Sequence, residues 1–332
     1  MANSSSDSGR PGEFELIARL FAPLATAPGA FGLTDDAAII SPCPGHDLVV
    51  TTDAILEGVD FFGNDRPAWI AKKALRVNLS DLAAKGAKPF GYLLTLALPQ
   101  RIDATWLEDF AGGLRDDQDA YDVGLLGGDM SSSEQLSISL TAFGYVPAGR
   151  LIRRKGARAG DAVFVTGTIG DSGGGLALLR DDEGGALSAE FRNDLIDRYR
   201  LPAPPVSFGG SLIGLASAAL DVSDGLIADL GHLAAASGVR IVVEAARIPR
   251  SAALRALWGD SDSAIARAAT SGDDYQIAFT APLNAEAKLR QAAHDGLTTL
   301  TRIGRVEAGA GVVLMGAQAQ EIAVKRPGFT HF

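Results

Sequence analysis

Aspartates recur where this chain passes from apolar residues to small or polar ones, and that placement limits its possible folds more than any other feature. In "ALDVSDGLIADLGHLAAASG" (219–238), Asp221, Asp224 and Asp229 stand inside an otherwise apolar stretch, with no lysine or arginine before Arg240. A carboxylate among apolar residues is costly unless something pairs with it. The same arrangement returns at Asp35 and Asp36 in "GLTDDAAII", Asp53 in "VVTTD", Asp81 in "VNLSD" and Asp129 in "LLGGD". Asp273 and Asp274 in "SGDDY" add a further acidic pair.

Many carboxylates without an evident basic partner suit a hard cation such as Mg²⁺, which takes oxygen ligands and completes its shell with water and phosphate oxygens. In "TTD", strand alternation sends Thr51 and Asp53 to one face and Thr52 to the other. Each motif taken singly also has a plainer reading. Asp224 could cap a helix, Asp35 and Asp36 could form a turn, and Asp81 could be a solvated surface residue. "GGD" is ordinary turn composition. Repetition favours the cation, because capping does not require so many Asp-tipped elements. Asp229, five positions beyond Asp224, points to a different helix face and reads as structural, as does His232.

Composition narrows the function. Against 30 Lys and Arg stand 40 Asp and Glu, a net charge of −10. That disfavours a nonspecific nucleic-acid binder, which needs clustered cations, but not a phosphorylated small molecule bridged through metal. The 332 residues suffice for two medium domains. One cysteine, Cys43, excludes an intrachain disulfide and fits a reducing, cytoplasmic setting. No apolar signal core and no membrane-length apolar run is present. The four histidines lack zinc-site spacing. No G-x-x-x-x-G-K-[ST], no strand-following G-x-G-x-x-G and no G-x-S-x-G occurs.

Along the chain, Ser-rich residues 1–11 are expected to be disordered. Helices are expected over 14–24, 68–87 (with Gly86 at its end) and 104–121. Strands are expected over 47–53, 92–99, 123–129, 136–146, 162–167, 240–245 and 275–279, and "ALDVSD" should be a strand entering a helix. "VGLLGGD" reads as a short strand running into a loop. The basic, glycine-containing segment 147–161 marks a boundary, giving domains over 12–148 and 149–332. The fold class is therefore α/β (α+β) with two domains.

Taken in order, "GEFELIARLF", "DDAAII", "TTDAILEGVDF", "KALRVNLSDLAAKGAKP", "LLGGD", "GYVPAGRLIRRKGARAGD", "VTGTIGDSGGGLALL", "ALDVSDGLIADLGHLAAASG", "SGDDYQIAFT" and "GFTHF" resemble the thiamine-monophosphate kinase family of the aminoimidazole-ribonucleotide-synthetase-like ATP-binding superfamily. The resemblance runs from Gly12 to Phe332. It implies ATP-dependent phosphorylation of thiamine monophosphate to thiamine diphosphate by in-line transfer assisted by several Mg²⁺ ions. It also implies a synthetase-like fold, with an N-terminal ATP- and metal-binding sheet domain that dimerises, a C-terminal α/β domain, and an active site between them.

Carried over residue by residue, the family's metal ligands fall on Asp36, Thr51, Thr52, Asp53, Asp81, Asp129, Asp221 and Asp224. Nucleotide contacts fall on Gly128, Asp129, Arg154 and Ser223, with Arg154 a charge stabiliser. Substrate contacts fall on Asp60, Asp273 and Phe329. A phosphate oxygen already ionised at neutral pH is the nucleophile, so no protein base is required. The chain departs from the family's usual pattern in three places: Asp60 for His, Asp273 for Glu, and the run Met130-Ser131-Ser132-Ser133 for a Thr-Thr-Arg-Gly run. Two of these lie on the substrate side and none removes a metal aspartate. Other readings are another ATP-dependent enzyme of the superfamily or a noncatalytic nucleotide- and metal-binding homologue.

Overall fold

The computed structural model describes residues 12–180, 185 and 187–330, so the expectation of disorder over 1–11 lies outside the described residues. The strands are β1 (His46–Leu56), β2 (Lys88–Leu98), β3 (Gly124–Ser132), β4 (Ser137–Pro147), β5 (Ala162–Thr166), β6 (Ala218–Asp221), β7 (Arg240–Glu244), β8 (Ile277–Ala281), β9 (Leu300–Glu307) and β10 (Gly311–Met315). The α-helices are α1 (Glu13–Leu16), α2 (Pro67–Ala84), α3 (Ala104–Tyr121), α4 (Asp171–Arg180), α5 (Ala189–Arg200), α6 (Val206–Gly209), α7 (Leu226–Ser237), α8 (Ala252–Trp258), α9 (Asp262–Ala269) and α10 (Glu286–Asp295). This is a mixed α/β fold with two sheets, as the helix and strand patterns require.

The chain separates into two compact units. The first holds the described residues through Pro44, together with Val50–Asn78 and Pro89–Gly144. The second holds Gly45–Val49, Leu79–Lys88 and the described residues from Tyr145 onward.

A four-stranded sheet has the order β1-β4-β2-β3, with β2 and β3 parallel. Its β2 alternates apolar residues inward, burying Tyr92, Leu94, Leu96 and Leu98. A half-buried ion pair joins α2 to α3: Arg76 Nε donates to Asp117 Oδ2 at 2.7 Å and Arg76 Nη2 to Asp117 Oδ1 at 2.8 Å. Two parallel bonds of this kind set both distance and angle.

A six-stranded sheet in the second unit has the order β10-β7-β9-β5-β8-β6. Its central β5, "AVFVT", is buried along its whole length, as a continuous apolar run in mid-sheet should be. One sheet face carries Val163, Val165, Leu220, Ile241 and Val243 in a core shared with Leu226, Leu230 and Leu233 of α7. The other carries Phe164 and Phe279, stacked at 5.3 Å, with Phe208.

Several boundaries differ from the periodicity. Residues 14–24 are helical throughout, but as one α turn, a π segment (Ile17–Phe21) and a 3₁₀ turn (Ala22–Leu24). Asp53 is not a strand tip, because β1 runs three residues further to Leu56. "GGD" is not a loop either: Gly127, Gly128 and Asp129 lie within β3, opposite Leu93, Leu94 and Thr95 of β2. Parallel pairing with β2 overrides the turn composition here. Tyr275 lies outside β8, with a left-handed φ of 48°.

Candidate functional site

In the first unit, Asp36, Gly128 and Asp129 line one cavity of about 770 Å³. Apolar side chains, among them Phe14, Phe21 and Met130, form much of its remaining wall. Gly128 is required by the close approach of β2. A Cβ there would stand 1.9 Å from the Leu94 carbonyl oxygen, so only bare backbone fits. At the cavity's edge the Asp36 N–H donates to Asp35 Oδ1 at 2.8 Å, which folds the acidic pair into a local turn.

The Thr51–Asp53 segment of β1 is held by its backbone and hydroxyls. The Asp53 N–H donates to Asn78 Oδ1 at 3.0 Å, and Thr52 Oγ1 donates to the Leu140 carbonyl at 2.9 Å. Thr52 and Asp53 are exposed and Thr51 is half-buried. Asp60 closes its own turn: Leu56 N–H donates to its Oδ2 at 2.8 Å, and the buried Lys73 ammonium donates to its carbonyl at 2.7 Å.

The second unit draws together candidates that are far apart in sequence. β6 ends at Asp221, and the Ser223–Gly225 turn leads into α7. Asp224 does not cap that helix: Gly225 is the N-cap and no side chain caps it. Asp229 instead reaches back from the first turn, its Oδ2 accepting the N–H groups of Ser223, Asp224 and Gly225 at 3.1 Å each. Its structural reading is thereby met. Burial and the Asp224 charge push the Asp229 carboxyl up to about 7 against these donors.

Two further segments clasp the same turn. Asp273 N–H donates to the Ser223 carbonyl at 2.8 Å, and Phe329 N–H donates to the Asp224 carbonyl at 2.9 Å. Asp273 holds a left-handed φ of 66°, and Tyr275 Oη donates to its Oδ1 at 3.2 Å. Non-glycine residues in this conformation store strain, which recurs where side chains must be aimed. Phe329 is 48% exposed, so it is not an anchor in the core. Ser223, Asp224, Asp273 and Phe329 therefore form one cluster.

A second cluster in this unit joins α2 to β6. Ser80 Oγ donates to Asp221 Oδ2 at 2.9 Å. Burial pushes the Asp221 carboxyl up to about 8, and the neighbouring Asp81 charge adds to the shift. A carboxylate bonded to a hydroxyl, with the charge of a second carboxylate acting on it, offers the oxygen donors that a hard cation takes, and a bound dication would reverse that shift. The residues present thus fit Mg²⁺. Among the described residues, no group of three or more His, Cys, Asp and Glu side chains converges on one metal position.

One residue near this pair escapes the sequence reading. Lys85 Nζ donates to the Ala219 carbonyl at 2.8 Å and acts electrostatically on both Asp221 and Asp81. A basic group does therefore reach the "ALDVSD" strand, from α2 rather than from its own stretch. Its spacing of four from Asp81 was the available signal. Arg154 is exposed, and its charge reaches Lys85.

Comparison with known proteins matches residues 34–146 to the N-terminal domain of AIR synthase related proteins and residues 158–316 to their C-terminal domain. The thiamine-monophosphate kinase of Caulobacter vibrioides is 40% identical over 97% of this chain and 91% of its own. The crystal structure of thiamine-monophosphate kinase from Stenotrophomonas maltophilia K279a is 42% identical, with a TM-score of 0.79 over 85% of this chain and 89% of its own. A structure described as AaThiL complexed with AMPPCP and TMP is 33% identical, with a TM-score of 0.76 over 92% of this chain and 97% of its own.

Fold and family models together place the chain among the two-domain AIR synthase related proteins. Within that class, it belongs to the thiamine-monophosphate kinase family.

Proposed function

We propose that this protein transfers the γ-phosphoryl group of ATP to the phosphate of thiamine monophosphate, giving ADP and thiamine diphosphate. The observation that carries the reading is the cluster of Ser223, Asp224, Asp273 and Phe329, drawn from three distant stretches by backbone hydrogen bonds. It occurs in a chain matched over 97% of its length by a thiamine-monophosphate kinase. The relative complexed with AMPPCP and TMP supports the same pair of ligand classes.

Asp36, Thr51, Thr52, Asp53, Asp81, Asp129, Asp221 and Asp224 are assigned to Mg²⁺. The ion, when bound, offsets charge on the β- and γ-phosphates and favours in-line transfer. Gly128 offers backbone that a ligand can approach closely, while Ser223 and Arg154 contact the nucleotide, Arg154 opposing its negative charge. Asp273 and Phe329 hold the acceptor, with the half-exposed Phe329 ring available to pack on a heteroaromatic ring. Asp60 has one carboxylate oxygen engaged by Leu56, so it acts on the acceptor by charge and by the shape of its turn. No side chain needs to remove a proton, because the attacking phosphate oxygen is already ionised.

Residues 12–148 and 149–332 are taken as the metal- and nucleotide-binding domain and its C-terminal partner. A homodimer in a reducing cytoplasm completes the reading. No helix among the described residues is long and apolar enough to cross a membrane. The test is ADP release from Mg-ATP with thiamine monophosphate, with purine-pathway intermediates and no acceptor as controls. Release with thiamine monophosphate alone is expected. ATP binding without turnover would indicate a noncatalytic homologue, and release with a purine intermediate another enzyme of the superfamily.

A further inference from the structure

Lys85 stands at the C-terminal end of α2, four residues beyond Asp81, and its backbone N–H donates to the Asp81 carbonyl at 3.1 Å. Its ammonium donates to the carbonyl of Ala219, two residues before Asp221 on β6. The same strand end receives the Ser80 hydroxyl on Asp221. One cation is thereby tethered, at both its backbone and its tip, beside the two carboxylates assigned to metal. The carbonyls that end an α-helix also favour a positive charge at this position.

The electrostatics are reciprocal. Burial and the charge of Arg154 push Lys85 down to about 8, while Asp221 and Asp81 oppose that shift. Lys85 in turn works against the upward shift of Asp221. Held by the Ala219 carbonyl, the ammonium stays beside the pair and offsets part of its negative charge.

We propose that Lys85 is a positioning residue that sets the divalent-cation affinity of the Asp81–Asp221 pair. Its tethered ammonium offsets negative charge at the pair and repels a dication that approaches the pair unaccompanied. The pair then engages Mg²⁺ best when an anionic ligand, a nucleotide phosphate, brings additional negative charge with it. This inference rests on the metal role assigned above to Asp81 and Asp221.

The test is Mn²⁺ binding to the full-length protein without nucleotide, followed by electron paramagnetic resonance at pH 7.5. It compares wild type with Lys85→Met, Lys85→Arg and Asp221→Asn. Removing one unit charge beside the pair should tighten Mn²⁺ binding about five- to tenfold in Lys85→Met. Lys85→Arg, which keeps the charge, should stay within about twofold of wild type, and Asp221→Asn should lose the site. Melting curves in EDTA report folding, and Lys85→Gln makes the same comparison if Lys85→Met does not fold. Equal or weaker binding in the neutral variants, with Asp221→Asn still weakened, would overturn the role of Lys85 and leave the metal assignment standing. Wild-type binding in Asp221→Asn would overturn both.

Discussion

Ser80 Oγ donates to Asp221 Oδ2 at 2.9 Å, joining residues 141 positions apart on a helix and a strand of the second unit. That bond meets only part of the need of a buried carboxylate on which the Asp81 charge also acts. A site of this kind costs stability in the free protein and recovers it when a cation arrives. Mg²⁺ should therefore raise the melting temperature of the wild type in the absence of nucleotide. Asp221→Asn should melt higher than wild type in EDTA and lose the response to Mg²⁺. Differential scanning fluorimetry across a Mg²⁺ titration checks both.

Asp53 lies on an exposed part of β1, and its backbone N–H donates to Asn78. Asp53→Asn should lower kcat by at least about 100-fold, as expected for loss of a group that organises transition-state charge. Its melting temperature in EDTA should stay close to wild type. A large loss of stability without metal would assign Asp53 to the scaffold instead.

Asp229 holds three backbone N–H groups of the turn that presents Ser223 and Asp224. Asp229→Ala leaves those donors without their acceptor, at a cost of about 2–4 kcal/mol. Chemical denaturation should read that loss. Activity should fall together with it, because the turn carries proposed ligands.

Gly328 passes so close to α7 that a Cβ would stand 2.4 Å from the Asp224 carbonyl oxygen and 2.6 Å from Ala228 Cβ. Gly328→Ala should push the Phe329 segment off the turn. The expected result is a KM for thiamine monophosphate raised about tenfold, on the scale of a lost hydrogen bond and ring contact, with the KM for ATP little changed. Steady-state kinetics with each substrate varied in turn separates the two.

Asp274 is buried, and burial pushes its carboxyl well above the ordinary carboxylate range despite bonds from Gly170 and Ser172 N–H. A raised carboxyl binds its proton more tightly in the folded than in the unfolded chain. Stability from this group is therefore full below about pH 4 and is lost as pH rises above it. Asp274→Asn keeps an acceptor for Gly170 and removes the titration. Compared with wild type, it should show a flatter decline of melting temperature between pH 5 and pH 8.

Much of this was legible from residue patterns alone. Helix α2, the buried β5 and the entry from β6 into α7 follow from periodicity and from apolar runs of the right length. The repeated aspartates singled out the residues proposed here as metal ligands. Their local setting was harder to read: Asp53 lies inside β1 rather than at its end, and Asp129 lies within β3, where pairing with β2 overrode the turn-like composition. Strand β9 left little pattern because Arg302, Gly304 and Arg305 break its apolar run, and β10 is only five residues long. The contact of Lys85 with Ala219 depends on how α2 meets β6, and no local period encodes such a long-range relation.

In the proposed reaction, phosphoryl transfer is directed to the phosphate of thiamine monophosphate. Phosphorus NMR of the complete reaction, with γ-labelled ATP, Mg²⁺ and thiamine monophosphate, tests it most directly. The label should appear in the terminal phosphate of thiamine diphosphate, in amounts equal to the ADP formed, and should vanish from that product with Asp53→Asn. Label found only in inorganic phosphate, with thiamine monophosphate unchanged, would contradict the account.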